Sequence, residues 1–206
     1  MLGEGIPNDK IFVTGNTIVD AIYLNLRLSK RTENILANLG LTKQDYFVAT
    51  VHRQENVDNE ERFRDIINGL KLVKEMLGCD IVYPIHPRAR KQAKVFNINM
   101  KGLKLIDPLD YLSFLQLESH AKLVLTDSGG VQEETCILKV PSVTLRDTTE
   151  RPETLDVGSN VLSGTSPNEI VKKTEQMLRT RRDWTNPFGN GRAGEAIIEV
   201  LTSSVS

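Results

Sequence analysis

The chain has 206 residues, of which 39% are hydrophobic and 26% charged, the composition of an ordinary folded protein. At about 150 residues per domain, this length favours one large domain or one and a half over two of full size. The 26 basic and 27 acidic residues give a formal net charge of −1, so no overall field recruits nucleic acid or an anionic membrane. Two cysteines and three histidines are too few for a disulfide framework or a zinc ribbon.

The hydropathy pattern and the start of the chain predict the compartment. The sequence has no run of about 18 apolar residues. Its first twenty residues lack the basic and then apolar order of a signal peptide. We therefore expect a cytoplasmic protein without a membrane or nucleic-acid partner.

Short apolar runs alternate with stretches of helix length along the chain. The predicted strands are residues 11–14, 46–51, 81–85, 103–106, 123–126 and 142–145. Most of these runs are continuous, which is typical of strands covered on both faces of a parallel sheet. Strands that alternate with helices require right-handed crossovers, so the pattern predicts an α/β fold with a Rossmann-like doubly wound sheet.

The helix between the second and third runs has the clearest periodicity. Its apolar residues recur at spacings of three and four, at Phe63, Ile66, Ile67, Leu70, Val73 and Leu77. Asp58 is its predicted N-cap, with Glu61 completing a capping box. Thr17 is a predicted cap for a helix after the first run. Other helices are predicted from Pro87 and over residues 110–120, 129–138, 167–182 and 192–203.

We divide the chain at residue 185. Residues 1–185 are predicted to form the Rossmann-like domain. The turn and helix of residues 186–206 have no predicted strand behind them, so we expect them to need a surface outside this sheet.

Ligands of an open parallel sheet bind at the carboxyl ends of its strands, where polar residues follow the second and third runs. His52 supplies a group that titrates near neutral pH, Arg53 an anion clamp and Glu55 an acid. A solvated loop is the alternative for this segment. His86 opens a basic helix start that can aim positive charge at the same edge, with ordinary surface residues as the equal alternative.

Residues 125–134, LTDSGGVQEE, give the sharpest signal because a strand turns directly into a helix there. Ser128 is a good N-cap, and Gly129 and Gly130 leave the first backbone N–H groups open to an anion. Glu133 and Glu134, one turn further on, can accept hydrogen bonds from ribose hydroxyls. A tight turn without a ligand is the alternative.

Residues 146–153, RDTTERPE, directly follow the sixth run and contain an unusually high density of charged residues. Arg151 can pair with a phosphate or with one of the neighbouring acids. An internally salt-bridged turn is the alternative. Phe114, in the helix before the LTDSGG strand, is either a core residue or a surface on which a planar base stacks.

Several segments, taken in chain order, carry a resemblance to a known family. They are residues 13–17 (VTGNT), His52-Arg53 with Glu55, residues 106–108 (IDP), residues 125–134 and residues 146–153. From about residue 7 to residue 194 the chain resembles the non-hydrolysing UDP-N-acetylglucosamine 2-epimerases. The resemblance implies the carboxyl-terminal half of a two-domain enzyme similar to the GT-B glycosyltransferases.

The resemblance also implies a reaction and roles for the residues. Such enzymes interconvert UDP-N-acetylglucosamine and UDP-N-acetylmannosamine by eliminating and re-adding UDP, without a metal or nicotinamide cofactor. By motif, Ser128, Gly129 and Gly130 would hold the diphosphate, Glu134 the ribose, Phe114 the uracil side and Arg151 the negative charge of the nucleotide. The resemblance places His52 near the sugar and diphosphate, with Arg53 and Glu55 close by. We take His52 and Glu55 as the candidate catalytic residues and Arg53 as a substrate-binding residue, and the strand-end position of His86 adds it to the binding residues.

The family's amino-terminal motifs are not in this sequence. We therefore expect the chain alone to bind UDP and UDP-N-acetylhexosamine without epimerising them, and residues 186–206 to pack toward an amino-terminal domain. The full-length enzyme is expected to be a homodimer. Gln54 stands where bacterial members often have Arg, and Phe188 and Asn190 where Tyr and Asp are common.

Other functions remain open at this point. A GT-B sugar transferase or a hydrolysing epimerase is the alternative among enzymes. A stand-alone module that senses UDP-sugars is the alternative from another class. The remaining possibility is an α/β domain whose polar loops bind nothing.

Overall fold

The computed structural model describes residues 1–203; the last part of the predicted terminal segment, residues 204–206, lies outside the described residues. The described part contains one six-stranded sheet in which every pairing is parallel. Its strands are β1 (Tyr46–Thr50), β2 (Asp80–Pro84), β3 (Lys104–Ile106), β4 (Leu123–Thr126), β5 (Ser142–Thr144) and β6 (Asn160–Leu162). The spatial order β3-β2-β1-β4-β5-β6 is that of a doubly wound Rossmann sheet, which confirms the predicted fold class.

Helices cover both faces of the sheet. They are α1 (Thr17–Ser29), α2 (Ile35–Leu39), α3 (Gln54–Val57), α4 (Glu60–Leu77), α5 (Pro87–Val95), α6 (Tyr111–Ser119), α7 (Gly129–Leu138), α8 (Pro152–Asp156), α9 (Pro167–Leu178) and α10 (Ala193–Ser203). The limits predicted for α7 are correct, whereas α9 ends four residues before residue 182 because Arg179 takes the C-cap. No helix within residues 1–203 combines the length and apolar character needed to cross a bilayer.

The central strand β1 shows why the apolar runs are continuous. All five of its residues are buried, with Phe47 and Ala49 in the cluster that contains α4 and α9, and Tyr46 and Val48 in the cluster on the opposite face. The hydroxyl of Tyr46 donates to the carbonyl oxygen of Leu117 at 2.6 Å, so its one polar atom is satisfied inside the core. Both faces of the sheet therefore select apolar residues.

One glycine sets the distance between α4 and α9. A Cβ atom on Gly69 would lie 2.6 Å from Cδ1 of Ile170 and 3.2 Å from the Cα of Pro167. Because a real Cβ does not approach so closely, the contact between these helices depends on the missing side chain.

One predicted strand is absent and one observed strand was not predicted. Residues 11–14 form no strand, and Phe12 and Val13 are 56% and 96% exposed, because this apolar run lies away from both edges of the sheet. The edge strand β6 was not predicted, since it has three residues and begins with a polar one. Asn160 is nevertheless buried, and its Oδ1 accepts from the hydroxyl of Thr144 at 2.9 Å.

Two predicted helix caps are wrong by one residue. The N-cap of α4 is Asn59, whose Oδ1 accepts from the backbone N–H of Arg62 at 3.0 Å. The predicted cap, Asp58, instead binds the guanidinium of Arg88. Asn16 caps α1 in place of the predicted Thr17.

The segment after α9 returns to α1. The backbone N–H of Asn16 donates to the carbonyl oxygen of Phe188 at 2.8 Å. The carboxylate of Asp20 accepts from the first backbone N–H groups of α10, those of Ala193 and Gly194, at 3.2 and 3.0 Å. The described part of the terminal segment thus packs on α1, while the boundary at residue 185 and the contact with a further domain stay predictions.

Candidate functional site

The loops that follow β1, β4 and β5 meet at the carboxyl edge of the sheet. In a sheet of this order the direction of winding reverses between β1 and β4, which leaves a crevice beyond their ends. The loop after β1 carries His52 and Arg53, and the loop after β4 carries Ser128. The structure therefore brings the two sharpest sequence signals to one place.

Asp127 ties the first two of these loops together. Its carboxylate is completely buried and accepts from the backbone N–H groups of His52, at 3.1 Å, and Arg53, at 2.9 Å. It also accepts from Nδ2 of Asn56 at 3.1 Å, and Nδ1 of His52 lies 3.3 Å from its Oδ1. A buried charge is tolerated only when it is compensated in this way. Asp127 therefore fixes the direction in which the loop leaves β1.

The amino terminus of α7 faces the crevice. The hydroxyl of Ser128 accepts from the backbone N–H of Val131 at 3.5 Å, so Ser128 is the N-cap as predicted. A Cβ atom on Gly129 would lie 3.6 Å from Nη2 of Arg53, 3.6 Å from Oε2 of Glu150 and 4.0 Å from Cγ of Arg151. The first N–H groups of the helix, which have no intrahelical acceptor, thus open beside a guanidinium group and the carboxylate that it faces at 3.9 Å.

Arg146 joins the loop after β5 to the other two. It is 6% exposed and forms ion pairs with Glu55, at 2.6 Å, and with both carboxylate oxygens of Glu150, at 2.7 and 2.9 Å. Hydrogen bonding to Arg146 lowers the pKa of Glu150 from 4.5 to about 2. Glu55, a candidate catalytic residue, is therefore held by a buried cation in this structure.

Arg151 lies in the site and pairs with an acid. Its Nε is 2.7 Å from Oε1 of Glu133, which also accepts from Nδ2 of Asn16 at 3.2 Å. Of the two open alternatives for Arg151, the structure shows the acidic partner. Glu133 is occupied by these contacts, whereas Glu134 forms no ion pair within residues 1–203.

Phe114 and the two histidines line a cavity of about 230 Å³ beyond the ends of β1 and β2. The His52 and His86 rings have centroids 6.0 Å apart. Phe114 is half-buried there, with Pro108, Leu109 and Val131 on the walls of the same cavity. A largely apolar slot beside polar loops has the shape and chemistry to take a planar base.

The basic start of α5 has its own acidic partners. Nδ1 of His86 accepts from the backbone N–H of Arg88 at 3.1 Å and so caps the helix. Arg88 binds Asp58, and Arg90 lies 2.7 Å from Asp107. The positive charge predicted to reach the ligand edge is therefore largely neutralised by carboxylates of this chain.

Comparison with known proteins assigns this arrangement to a family. The family model described as UDP-N-acetylglucosamine 2-epimerase matches residues 1–202. The chain belongs to the UDP-N-acetylglucosamine 2-epimerase family. The resemblance found in the sequence is thereby confirmed.

Named relatives of this epimerase-family chain occur in archaea and bacteria. A UDP-N-acetylglucosamine 2-epimerase of Methanocaldococcus jannaschii is 51% identical over 98% of this chain and 57% of its own length. The enzyme of that name from Escherichia coli K12 is 34% identical over 99% of this chain and 58% of its own length. The chain thus spans little more than half the length of the curated relatives it matches.

Two solved structures of relatives contain nucleotide-sugars. The Methanocaldococcus jannaschii epimerase in complex with UDP-GlcNAc and UDP superposes with a TM-score of 0.89, over 98% of this chain and 57% of that chain. The Neisseria meningitidis epimerase bound to UDP-GlcNAc is 33% identical and superposes with a TM-score of 0.84, over 98% of this chain and 58% of that chain. The fold described above is therefore the fold of a half-length portion of these epimerases.

Glu134 of this family member sits in an unusual acidic environment. Its Oε1 accepts from the hydroxyl of Tyr111 at 3.0 Å, and its carboxyl lies within hydrogen-bonding reach of Glu118 on α6. Burial raises the pKa of both carboxyl groups, and the charge of Glu134 adds to the effect on Glu118.

Sequence reasoning missed Asp127, Asn56 and Arg146 as organisers of the epimerase-family site. Each is buried and polar and follows, or lies close to, the end of a strand. A buried acid directly after a strand is the signal that could have identified Asp127. Within residues 1–203, no group of three or more His, Cys, Asp or Glu side chains could hold a metal ion.

Proposed function

We propose that this chain is the nucleotide-binding half of an enzyme that interconverts UDP-N-acetylglucosamine and UDP-N-acetylmannosamine. The observation that carries the proposal is the open amino terminus of α7, where Gly129 lies beside the guanidinium group of Arg53, the carboxylate of Glu150 and the aliphatic part of Arg151. A diphosphate placed there accepts from Ser128, Gly129 and Gly130 and receives the positive end of the helix dipole. Family membership and the nucleotide-sugars bound by relatives support a ligand of this class.

The rest of the nucleotide extends from this point in two directions. Uracil enters the cavity of about 230 Å³, where it stacks on Phe114 beside His52 and His86. The ribose hydroxyls donate to Glu134, one turn along α7 from the glycines. These assignments follow the resemblance residue by residue, and the positions of the side chains in the structure support them.

In the elimination step, negative charge builds up on the departing diphosphate. The backbone donors at the start of α7 and the guanidinium of Arg53 lie at this charge and stabilise it, and preorganised stabilisation of this kind is usually the largest single contribution to catalysis. The approach of an anion also gives Arg151 a second partner besides Glu133. Arg146 pairs with Glu55 and Glu150 and so offsets their negative charge, which matters because Oε2 of Glu150 would lie 3.6 Å from a Cβ atom on Gly129.

His52 is held for action at the sugar end of the nucleotide. Asp127 lies 3.3 Å from Nδ1 and accepts from the backbone N–H of His52, which leaves Nε2 directed away from the buried acid. Nε2 has no protein partner among residues 1–203. We propose that Nε2 contacts the sugar or the β-phosphate, and that the carboxylates that move the C2 proton come from an amino-terminal domain.

The homodimeric state of the full-length enzyme and its cytoplasmic location stay predictions, as does its independence from metal and nicotinamide. The segment of residues 186–203 presents an apolar helix face, with Ile198 and Leu201 each 62% exposed. This face supports the proposal that α10 contacts an amino-terminal domain.

The proposed function is tested by titrating the chain calorimetrically with UDP, and with ADP as the control ligand. We expect UDP to bind, and ADP to bind at least tenfold more weakly, because a site of pyrimidine size takes uracil but not adenine. A tenfold difference in affinity corresponds to about 1.4 kcal/mol of binding free energy. Gly129→Ala adds a methyl group that makes ordinary contacts with the protein but occupies the proposed diphosphate position. The substitution should therefore lower the affinity for UDP by about tenfold or more.

Gly194→Ala is the matched control, because its methyl group meets only Asp20, in α1 and away from the crevice. Equal affinity of the Gly129 and Gly194 variants for UDP would contradict the proposed diphosphate position. Absence of UDP binding by the folded chain would contradict the proposal that this half binds the nucleotide. When the chain is joined to the amino-terminal half of the 51% identical relative, formation of UDP-ManNAc from UDP-GlcNAc tests the reaction itself.

A further inference from the structure

Glu118 on α6 has a buried carboxyl group that meets no hydrogen-bond donor of the described residues. The residue is 0% exposed, and both of its Oε atoms are shut off from solvent without a conventional partner. An ionised carboxylate in this position would be strongly destabilising. The fold therefore has to keep this group neutral or supply it with a partner.

The group within reach is another acid. The carboxyl of Glu134 on α7 lies within hydrogen-bonding reach of Glu118, and Tyr111 donates to Oε1 of Glu134 at 3.0 Å. Tyr111 and Glu118 are seven residues apart, so they lie on the same face of α6, two turns from each other. Two carboxyl groups form a hydrogen bond only when one of them carries a proton, because an ionised carboxylate only accepts.

The surroundings identify the proton carrier. Complete burial, together with the neighbouring charge of Glu134, raises the pKa of Glu118 well above its usual range. Glu133 precedes Glu134 in α7, and its negative charge acts on Glu134. Glu133 itself is bound by Arg151, the N-cap of α8, and by Asn16, the N-cap of α1. Within residues 1–203, no Lys, Arg or His forms an ion pair with Glu118 or Glu134.

We propose that Glu118 is a positioning residue for nucleotide binding: as a neutral acid it donates a hydrogen bond to Glu134 and, with Tyr111, orients Glu134 toward the ribose. A carboxylate has about four acceptor positions, so two remain for the ribose hydroxyls after Tyr111 and Glu118 have each taken one. The inference rests on the proposed function, which places the ribose at Glu134. It adds a residue of α6 that never touches the ligand.

The experiment compares UDP with 2′,3′-dideoxy-UDP in calorimetric titrations of the whole chain from about pH 7 to about pH 10. The readout is the ratio of the two dissociation constants, which reports the ribose contact alone. Because both ligands carry the same diphosphate, titration of the phosphate cancels in the ratio. The variants are Glu118→Gln and Glu118→Leu, with Glu169→Gln, a surface carboxyl of α9, as the matched control.

For the unmodified chain we expect UDP to be preferred by about tenfold near neutral pH, as for one charged hydrogen bond, and the preference to fall as the pH rises. Glu118→Gln retains a donor that does not titrate, so its preference should persist and become independent of pH. Glu118→Leu supplies no donor and should lose most of the preference. Glu169→Gln should behave like the unmodified chain.

Two results overturn the inference while leaving the proposed function intact. One is an unchanged ribose preference in Glu118→Leu. The other is a fall with pH in Glu118→Gln that matches the unmodified chain, and this comparison needs only the conservative variant to fold. A chain that binds neither ligand, or binds both equally at every pH, would overturn the proposed ribose position and with it the role of Glu118.

Discussion

Replacing Asp127 by asparagine tests how strongly the loops of the site depend on one buried carboxylate. The carboxylate accepts from two backbone N–H groups and one side-chain amide at 2.9 to 3.1 Å. In Asp127→Asn one oxygen becomes an NH₂ group that faces donors, and the remaining bonds lose their ionic character. Weakening three charged hydrogen bonds by about 1 kcal/mol each, and leaving one buried donor unpaired at a cost of about 1–3 kcal/mol, predicts a loss of about 4–6 kcal/mol.

The assay is urea unfolding followed by circular dichroism near neutral pH. The free energies of unfolding are compared on the condition that the slope of free energy against urea concentration is the same for the variant and the unmodified chain. A loss of this size lowers the melting temperature by about 10 °C in a chain of this length. Asp107→Asn is the matched control, since Asp107 is 86% exposed and its pair with Arg90 is worth at most about 1 kcal/mol. If both variants lost the same free energy, Asp127 would not hold the loops as described.

Two further predictions concern Arg146 and Gly69. In Arg146→Met the pKa of Glu150 should return from about 2 toward its ordinary 4.5, as measured by NMR titration of the carboxyl carbon. Because its folded pKa is depressed, Glu150 stabilises the unmodified chain above 4.5 and loses this contribution as the pH falls from 4.5 to about 2, a loss that should vanish in the variant. Gly69→Ala should lower the free energy of unfolding by about 1–3 kcal/mol despite the better helix propensity of alanine, because its methyl group collides with Ile170. Gly194→Ala, whose methyl group has room, should not be destabilised, and equal losses in these two variants would rule out the close approach of α4 and α9.

The core strands were predictable because their burial on both faces leaves a direct mark on the sequence. The runs at residues 46–51 and 123–126 match β1 and β4 within one residue. Residues 11–14 carry the same mark, yet Val13 is 96% exposed, since an apolar run does not say whether a neighbouring strand is available. The strand β6 was missed because its first residue, Asn160, is polar. Asn160 is tolerated inside the fold since it accepts a hydrogen bond from the hydroxyl of Thr144, a partner that the local sequence does not reveal.

The candidate site was predictable where backbone chemistry dictates residue type. Ser128 and Gly129 at a strand-to-helix turn indicate an open helix start, and the structure places them there. The ion pairs of Arg146 with Glu55 and of Arg151 with Glu133 were not predictable residue by residue, because each acid lies in a helix distant in sequence from its arginine. Charge density in the sequence indicated a network but not its connections.

The bonds that fix the loop after β1 have a consequence for how this family can diversify. Asp127 accepts from the main-chain N–H groups of His52 and Arg53, which every residue except proline possesses. These two bonds therefore do not depend on which side chains stand at the two positions, although the His52 ring adds a contact of its own with Asp127. A substitution at Arg53, or at Gln54 beside it, should change what the loop presents to the crevice while the main-chain bonds to Asp127 remain.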